Sequence, residues 1–356
     1  MQYKFTNKKN NIFLLITFAF FVLLFFNATV FFESFKKYIH ISTSMLAFPV
    51  YYQYFKNRPS HFKKFILRII QYNIIFITSI VISSVFKLGT SWGYGANNAI
   101  YLVGINIWAL YGIIYPVILS LLISEMYNFK KYIKVNQILL FVLMVILLLI
   151  FKRMLLLTFL IGCFMYFYAI TAIDKKNVVS LLFVVLIMMF LYQIYGDIIN
   201  QVVHYRNRIY EIGNYTQEGR YLEFLNYFKY WLNEESLRTI FLGVDFFYSG
   251  RTDNFDAVNA ISIGRIIHSD LANFLYTTGL IGTILFIVYL VQFFKSIIIF
   301  KKHSVLANYI FTFMLVTVIL NIFSEGIDNT LNYYMFLSIT GALAGHMTSI
   351  KNVGDY

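Results

Sequence analysis

The chain has 356 residues, of which 60% are hydrophobic and only 13% are charged, and its mean hydropathy is +0.70. A soluble domain of this length needs far more charge to cover its surface, so the composition excludes an ordinary soluble protein. With one cysteine and three prolines, the sequence also excludes a disulfide framework and a cysteine-based metal cluster.

Runs of about 20 apolar residues predict transmembrane helices, because that length crosses the hydrocarbon core of a bilayer. We therefore predict an all-α polytopic membrane protein, with residues 1–356 forming one integral membrane domain of about ten spans (range ten to twelve). The predicted spans are Asn11 to Phe32, Tyr38 to Phe55, Phe65 to Phe86, Ile100 to Ile123, Val135 to Phe151, Met154 to Ile173, Val178 to Tyr195, Leu271 to Phe294, Val305 to Phe323 and Leu331 to Ile350.

The distribution of Lys and Arg predicts the orientation of these spans. With the N-terminus inside, the inner connections hold 16 basic residues and the short outer loops hold five. The positive-inside rule then places both termini in the cytoplasm. Topology accounts for the net charge of +13, and no nucleic-acid partner is expected. Arg68, the only basic residue within a span, lies one turn from the cytoplasmic end and can snorkel to the headgroups.

One large extracytoplasmic loop, residues 196–270, is inserted between spans seven and eight. It holds 10 of the 16 acidic residues and six of the nine arginines, but only one of the 20 lysines. Arginine binds a phosphate or carboxylate through two parallel hydrogen bonds, which lysine cannot do. These arginines either pair with the local carboxylates or bind an anionic substrate. From Glu218 to Trp231 apolar residues recur at helical spacing, which predicts an amphipathic helix on the membrane surface.

Candidate site residues lie in this loop. Arg220 lies in the first turn of the predicted amphipathic helix, where a cation opposes the helix dipole and a bound anion would compensate for it. Arg265, His268 and Asp270 directly precede the eighth span. A cation, a base and an acid at the mouth of a pocket suit acid–base chemistry. For Asp270, capping of the helix that follows is the simpler explanation.

These elements, in this order, resemble the O-antigen polymerase and O-antigen ligase superfamily of bacterial membrane enzymes. Arg220 with Trp231 resembles the arginine and aromatic helix of that family's late periplasmic loop. Leu242-Gly-Val-Asp245 resembles the glycine turn that follows, with Asp245 in place of the second glycine.

The resemblance extends into the spans and covers about residues 140 to 300. His268-Ser-Asp270 resembles the element that closes the loop, and Gly279-Leu-Ile-Gly282 resembles the glycine pair of the next span. Lys152-Arg153 resembles the basic pair that the family places at an outer hairpin. Two features depart from the family: it usually has nearer twelve spans, and serine rather than asparagine follows the histidine. The second departure favours a polymerase over a ligase.

The resemblance implies a GT-C-like glycosyltransferase of the bacterial cytoplasmic (inner) membrane. No constellation of residues in the sequence requires a metal, so we expect a reaction with no cofactor and no metal. Its donor would be an oligosaccharide on a polyprenyl diphosphate such as undecaprenyl diphosphate, and its acceptor a sugar hydroxyl on another lipid-linked repeat unit. The product would be O-antigen of lipopolysaccharide, capsule or exopolysaccharide. Membrane lipids, a chain-length regulator and a flippase are the other implied partners.

The site residues implied by the resemblance fall into two groups. The catalytic group consists of Arg220 with His268 and Asp270, one of the last two acting as the base. The group implied to contact substrate or diphosphate consists of Arg153, Arg206, Arg265 and Trp231.

A flippase or transporter of lipid-linked sugars and an O-antigen ligase are the alternative functions. Transporters often have internal repeats and charges within their spans, whereas this sequence has no obvious repeat and only Arg68 within a span. Other glycosyltransferases that use polyprenyl phosphate donors carry a catalytic acid in the first outer loop. The predicted loop, Glu33 to Lys37, holds one carboxylate, which argues against that class.

Overall fold

The computed structural model describes residues 8–28, 31–86, 91–92, 102–103, 107–150, 153–171, 236–244, 270–323 and 330–354. Within these residues the chain is helical apart from one pair of two-residue strands, which confirms the helical class. The helices are α1 (Lys8–Asn27), α2 (Phe31–Asn57), α3 (Phe62–Val85), α4 (Ile107–Met126), α5 (Lys130–Ile150), α6 (Arg153–Thr171), α7 (Leu237–Leu242), α8 (Asp270–Ile297), α9 (Phe300–His303), α10 (Val305–Phe323) and α11 (Thr330–Gly354).

Backbone contacts divide the chain into two compact units. The first comprises Met1–Phe62, Thr216–Lys302 and Met314–Tyr356, and the second comprises Lys63–Tyr215 and His303–Phe313. In the first unit α1 packs against α2 and α8, and α2 packs along α11. In the second unit α4 packs against both α5 and α6.

The connection between α1 and α2 differs from the sequence prediction. Helix α1 ends at Asn27 and α2 begins at Phe31, so the segment Glu33 to Lys37, predicted as the first outer loop, is helical. The apolar run continues through the end of α1 and into α2. The hydropathy pattern therefore places the end of the first helix too late, because hydropathy follows the length of the apolar run and does not detect the turn in the backbone.

The contact between α2 and α11 depends on two glycines of α11. Gly341 and Gly345 are four residues apart, the Gly-x-x-x-Gly spacing that lets two helix backbones approach closely. A Cβ atom at Gly341 would collide with the carbonyl oxygen of Phe48, and one at Gly345 with that of Tyr52. The two helices are therefore in direct backbone contact at these residues.

A third helix, α8, satisfies a backbone group that proline leaves unpaired in α2. Pro49 lies inside α2 and has no N–H to donate to the carbonyl of Met45. The hydroxyl of Tyr289 on α8 lies 3.4 Å from that carbonyl oxygen and donates to it. Tyr289 is buried, and its ring packs edge-on against Phe13 of α1, with centroids 5.3 Å apart.

In the second unit α4 is the central helix, and it is buried without interruption from Gly112 to Ser124. Such a helix is apolar all round, as expected for a helix surrounded by others. Before it, strand β1 (Ser91–Trp92) pairs with β2 (Leu102–Val103) in an antiparallel two-residue ladder. The fourth span was predicted from Ile100, whereas the helix begins only at Ile107.

By length and composition alone, two helical stretches of the described residues could cross a membrane: Pro59–Ser83 and Leu271–Ile297. Four further apolar helical stretches are shorter. The predicted spans other than the seventh overlap described helices, and the seventh, from Val178 to Tyr195, lies outside the described residues. The predicted amphipathic helix from Glu218 to Trp231 also lies outside them.

Candidate functional site

Helix α8 is broken at Gly279. Its backbone there has φ 62° and ψ −163°, which is not a helical conformation and which glycine tolerates best. The ring of Phe274 stacks on that of Phe286, with centroids 4.2 Å apart and an angle of 6° between the ring planes. In a straight helix two residues this far apart in sequence would be separated by about 18 Å along the axis. Helix α8 therefore bends sharply at Gly279, and the eighth predicted span is not one straight helix.

A second glycine, Gly243, lies against this break. Gly243 follows α7 with φ 87° and ψ −179°, a backbone conformation essentially restricted to glycine. A Cβ atom at Gly243 would lie 2.5 Å from the carbonyl carbon and oxygen of Thr277. A Cβ atom at Gly279 would lie 2.5 Å from the backbone nitrogen of Gly243 and 2.6 Å from the carbonyl oxygen of Phe241. Both positions therefore need glycine for conformation and for space.

Two carbonyl groups that the break releases find donors outside α8. In an unbroken helix the carbonyls of Tyr276 and Thr277 would accept from the N–H groups one turn further on. Here the backbone N–H of Val244 donates to the Tyr276 oxygen at 2.9 Å, and Nδ2 of Asn27 donates to the Thr277 oxygen at 2.8 Å. The same Nδ2 donates to the carbonyl oxygen of Leu242 at 2.6 Å.

We call this arrangement the glycine junction: Asn27 at the end of α1, residues 242–244 after α7, and residues 276–279 at the break in α8. It joins the two glycine motifs that the sequence analysis treated as separate, Leu242 to Asp245 and Gly279 to Gly282. It also includes a residue of α1 that no sequence pattern marked as functional. Asn27 is only 5% exposed.

Arg238 of α7 borders the glycine junction. Its Nη2 donates to the carbonyl oxygen of Phe26 at 2.8 Å, in the last turn of α1, where the helix dipole favours a cation. Arg238 is exposed, and its other N–H groups have no partner among the described residues. It is one of the six loop arginines but belongs to none of the motifs that carry the resemblance. Only that arginine enrichment could have identified it.

The hydroxyl groups at the break are engaged locally. Thr277, Thr278 and Thr283 each donate to the carbonyl four residues earlier, at 2.6, 2.7 and 2.8 Å. Asn273, one turn before Thr277, is 2% exposed, and its Oδ1 accepts no hydrogen bond within the part of the chain that the structure describes. The hydroxyl groups near the break therefore bond to nearby backbone, and within the described residues Oδ1 of Asn273 is a buried acceptor without a donor.

The predicted site residues lie largely outside the described ranges. Arg206, Arg220, Trp231, Arg265 and His268 all fall in undescribed parts of the loop, so their roles stay predictions. Two predicted residues are described at the level of the backbone: Asp270 is the first residue of α8, and Arg153 is the first residue of α6. Asp270 therefore lies where the capping explanation expects it, at the start of the helix that follows the loop.

A separate polar cluster lies in the second unit. Asn136 of α5 accepts from Ser120 at 3.1 Å and donates to Ser124 at 3.3 Å, and all three are fully buried. Nearby, Tyr166 of α6 donates to Oε1 of Glu125 at 2.9 Å. Glu125 lies just beyond the fourth predicted span. Burial raises the pKa of its carboxyl group, and the hydrogen bond from the tyrosine opposes this. The cluster ties α4 to α5 and α6.

The fold and the junction together define a helical protein in which a broken apolar helix is bonded to a preceding turn and to the first helix. No protein-family model matches the chain, and no curated protein matches it. Among the residues that the structure describes, no three His, Cys, Asp or Glu side chains are grouped so that they could hold a metal ion.

Proposed function

We propose that the chain spans the cytoplasmic membrane of a bacterium about ten times, with both termini inside and residues 196–270 outside. Two observations support this. The basic residues are distributed as the positive-inside rule requires. Large apolar side chains also cover the outer face of α8, where Ile284, Ile287 and Val291 are between 46% and 50% exposed. Such a face suits contact with lipid, since an exposed apolar stripe is unfavourable in water.

Within that membrane the chain polymerises lipid-linked oligosaccharide repeat units at the outer face. The observation that carries this proposal is the contact between Gly243 and Gly279. These glycines belong to two separate motifs of the resemblance to O-antigen polymerases, and a shared site is a reason for both motifs to occur in one chain. Irregular backbone at membrane depth is tolerated where it is buried in protein or lines a cavity, which also favours a functional role for the break.

The reaction transfers a glycan from polyprenyl diphosphate to a sugar hydroxyl. The acceptor oxygen forms a bond to the anomeric carbon of the donor, and the bond from that carbon to the diphosphate oxygen breaks. The diphosphate leaves with the electron pair, and His268 or Asp270 takes the proton of the acceptor hydroxyl. The donor is already activated, so the protein needs no nucleophile of its own.

Arginines stabilise the negative charge that develops on the leaving diphosphate. Arg220, Arg265, Arg206 and Arg153 are the sequence-based candidates for this role, with Trp231 contacting the glycan. Arg238 joins them, because its side chain is exposed and, among the described residues, its guanidinium makes one hydrogen bond. A preorganised donor at such a position contributes about 3 kcal/mol to lowering the barrier.

The glycan profile of cells lacking this chain tests the proposal. Deletion should reduce a polymer ladder to single lipid-linked repeat units, and the wild-type chain should restore it, whereas Arg220→Ala and His268→Ala should not. Arg208→Ala and His204→Ala are matched controls from the same loop and should restore the ladder. Full ladders from the Arg220 and His268 variants would contradict the assigned site. Polymer of normal length that fails to reach its final acceptor would indicate a ligase.

A flippase of lipid-linked sugars is the second candidate, and the break in α8 is the observation that favours it. Transporters commonly build substrate sites from discontinuous helices, whose half-helix ends face the ligand. The same deletion strain distinguishes the two functions. Lipid-linked units that accumulate on the cytoplasmic face would indicate transport, whereas units that accumulate on the outer face would indicate a polymerase.

A further inference from the structure

Helix α1 is a plain apolar helix in the sequence, yet its last residue reaches two carbonyl groups of the glycine junction. We infer that Asn27 is a positioning residue for glycan transfer: its amide holds residues 242–244 against the break in α8 and so sets the place of the outer loop relative to the spans. This inference rests on the proposed function. Asn27 does not touch the reacting groups and acts through the backbone that it holds.

Capping of α1 does not explain this side chain. Asparagine is common at the end of a helix, where it serves the local backbone. The amide of Asn27 instead donates to carbonyls that are 215 and 250 residues away in sequence, those of Leu242 and Thr277. The two short bonds, 2.6 and 2.8 Å, converge on one nitrogen that has two hydrogens to give.

The side chain is also difficult to replace. Both acceptors are backbone oxygens, so the residue must be a donor, and the partner groups are at least partly buried. Leaving a buried carbonyl without a donor is unfavourable by about 1–3 kcal/mol. Asn27→Asp keeps the shape of the side chain but directs a carboxylate, which only accepts, at two carbonyl oxygens. Asn27→Gln keeps the amide donor on a side chain that is one methylene group longer.

The first test measures transfer by the full chain in membranes, at matched amounts of folded protein. Asn27→Asp should lower turnover at saturating donor by about tenfold to a hundredfold, because small misplacements of reacting groups have effects of that size. The apparent KM for the donor should change little, since Asn27 does not contact it. Asn27→Gln should recover part of the turnover. Asn136→Asp, at an equally buried amide in the second unit, should lower stability and leave turnover per folded molecule unchanged.

A second test measures position without relying on activity. In a Cys163→Ala background, cysteines at Phe26 and Arg238 replace two residues that are in contact, so a short bifunctional thiol reagent should join them. Adding Asn27→Asp should slow that cross-linking, and adding Asn136→Asp should not. Unchanged cross-linking and unchanged turnover in Asn27→Asp would overturn the inference. If deletion of the chain left the glycan ladder intact, the proposed function itself would fail, whatever the cross-linking result.

Discussion

Gly243 and Gly279 have conformations with positive φ. A Cβ atom at Gly279 would meet the backbone of Gly243 and Phe241, and one at Gly243 would meet the backbone of Thr277 and Thr278. Their contact brings the backbone that follows α7 directly onto the backbone of an apolar helix. Hydrogen bonds from Asn27 and from the N–H of Val244 then replace those that the helix lost. At the scale of single residues, the glycine junction is a backbone structure closed by one side-chain amide. Arg238 is the charged side chain that the described part of the loop adds beside it.

Arg238 should bind the phosphate groups of the donor. Arg238→Ala should raise the KM for the lipid-linked donor and lower kcat, with kcat/KM falling about tenfold or more, because a charge-assisted contact contributes about 1.5–3 kcal/mol. Arg238→Lys keeps the charge but loses the planar guanidinium that binds phosphate through two parallel hydrogen bonds. It should therefore recover only part of the activity. Steady-state kinetics with purified donor in vesicles would measure both effects. Arg68→Lys, at an exposed position on α3, is the control. Unchanged kinetics for Arg238→Ala would remove Arg238 from the site.

The helices of the first unit hold together by close backbone approach and by polar contacts that replace missing backbone bonds. Gly341 and Gly345 let α11 approach the carbonyls of α2. The hydroxyl of Tyr289 donates to the carbonyl that Pro49 leaves unpaired. Both devices suit a bundle in lipid, where helix association depends on packing and internal hydrogen bonds instead of the exclusion of water.

Gly341→Leu should therefore loosen the pairing of α2 with α11. A side chain at that position must push the helices apart, which typically destabilises a packed interface by about 1–3 kcal/mol. We expect a lower midpoint of thermal unfolding in detergent, since the added side chain meets backbone atoms that cannot rotate away. Ile350→Ala, at an exposed position on the same helix, should leave the midpoint nearly unchanged. An equal midpoint for Gly341→Leu and the wild type would contradict the close approach.

At the scale of the whole molecule, the chain forms two compact helical units with different polar centres. The first contains the glycine junction, and the second contains the cluster of Asn136 with Ser120 and Ser124. The described residues bury a largely apolar core, and many large apolar side chains, such as Phe32, Ile75 and Leu237, are exposed as well. Exposed apolar side chains in this number suit contact with lipid and agree with the proposed membrane location.

The proposed topology predicts which residues a membrane-impermeant thiol reagent can reach. In a Cys163→Ala background, Ser236→Cys should react in spheroplasts, because residue 236 lies in the outer loop and is exposed. Ser60→Cys, exposed at the turn after α2, should react only after the membrane is permeabilised. The opposite labelling pattern would reverse the assigned orientation. Labelling of both residues without permeabilisation would show that the intervening spans are misassigned.

The sequence predicted helices well where one continuous apolar run makes one helix. Helix α10 has the same bounds as the ninth predicted span, Val305 to Phe323. Helices α5 and α6 are separated only by residues 151 and 152, close to the predicted boundary at Lys152 and Arg153. It predicted less well where an apolar run contains a turn. The end of α1 at Asn27 and the bend at Gly279 both lie within runs that look continuous. Hydropathy reports composition over a window, and composition does not change at such a turn.

The candidate site was predictable only in part, for a related reason. Gly243 and Gly279 were noticed as members of motifs, but their contact depends on the path of the chain between them. Asn27 carried no signal, because it lies inside an apolar run that looks continuous and no local pattern there indicates a distant partner. Its role appears only when the carbonyls of Leu242 and Thr277 are brought to it.

Composition and local apolar periodicity were enough to predict that this protein is helical and where most of the described helices lie, and the sequence concentrates arginines and acidic residues between residues 196 and 270. These properties depend on neighbouring residues and on the solvent that each segment prefers. The sharp bend of α8, the contact of Gly243 with Gly279 and the hydrogen bonds of Asn27 to both sides of the junction became visible in three dimensions alone. Those features depend on hydrogen bonds and steric contacts between residues far apart in sequence, which no local pattern encodes.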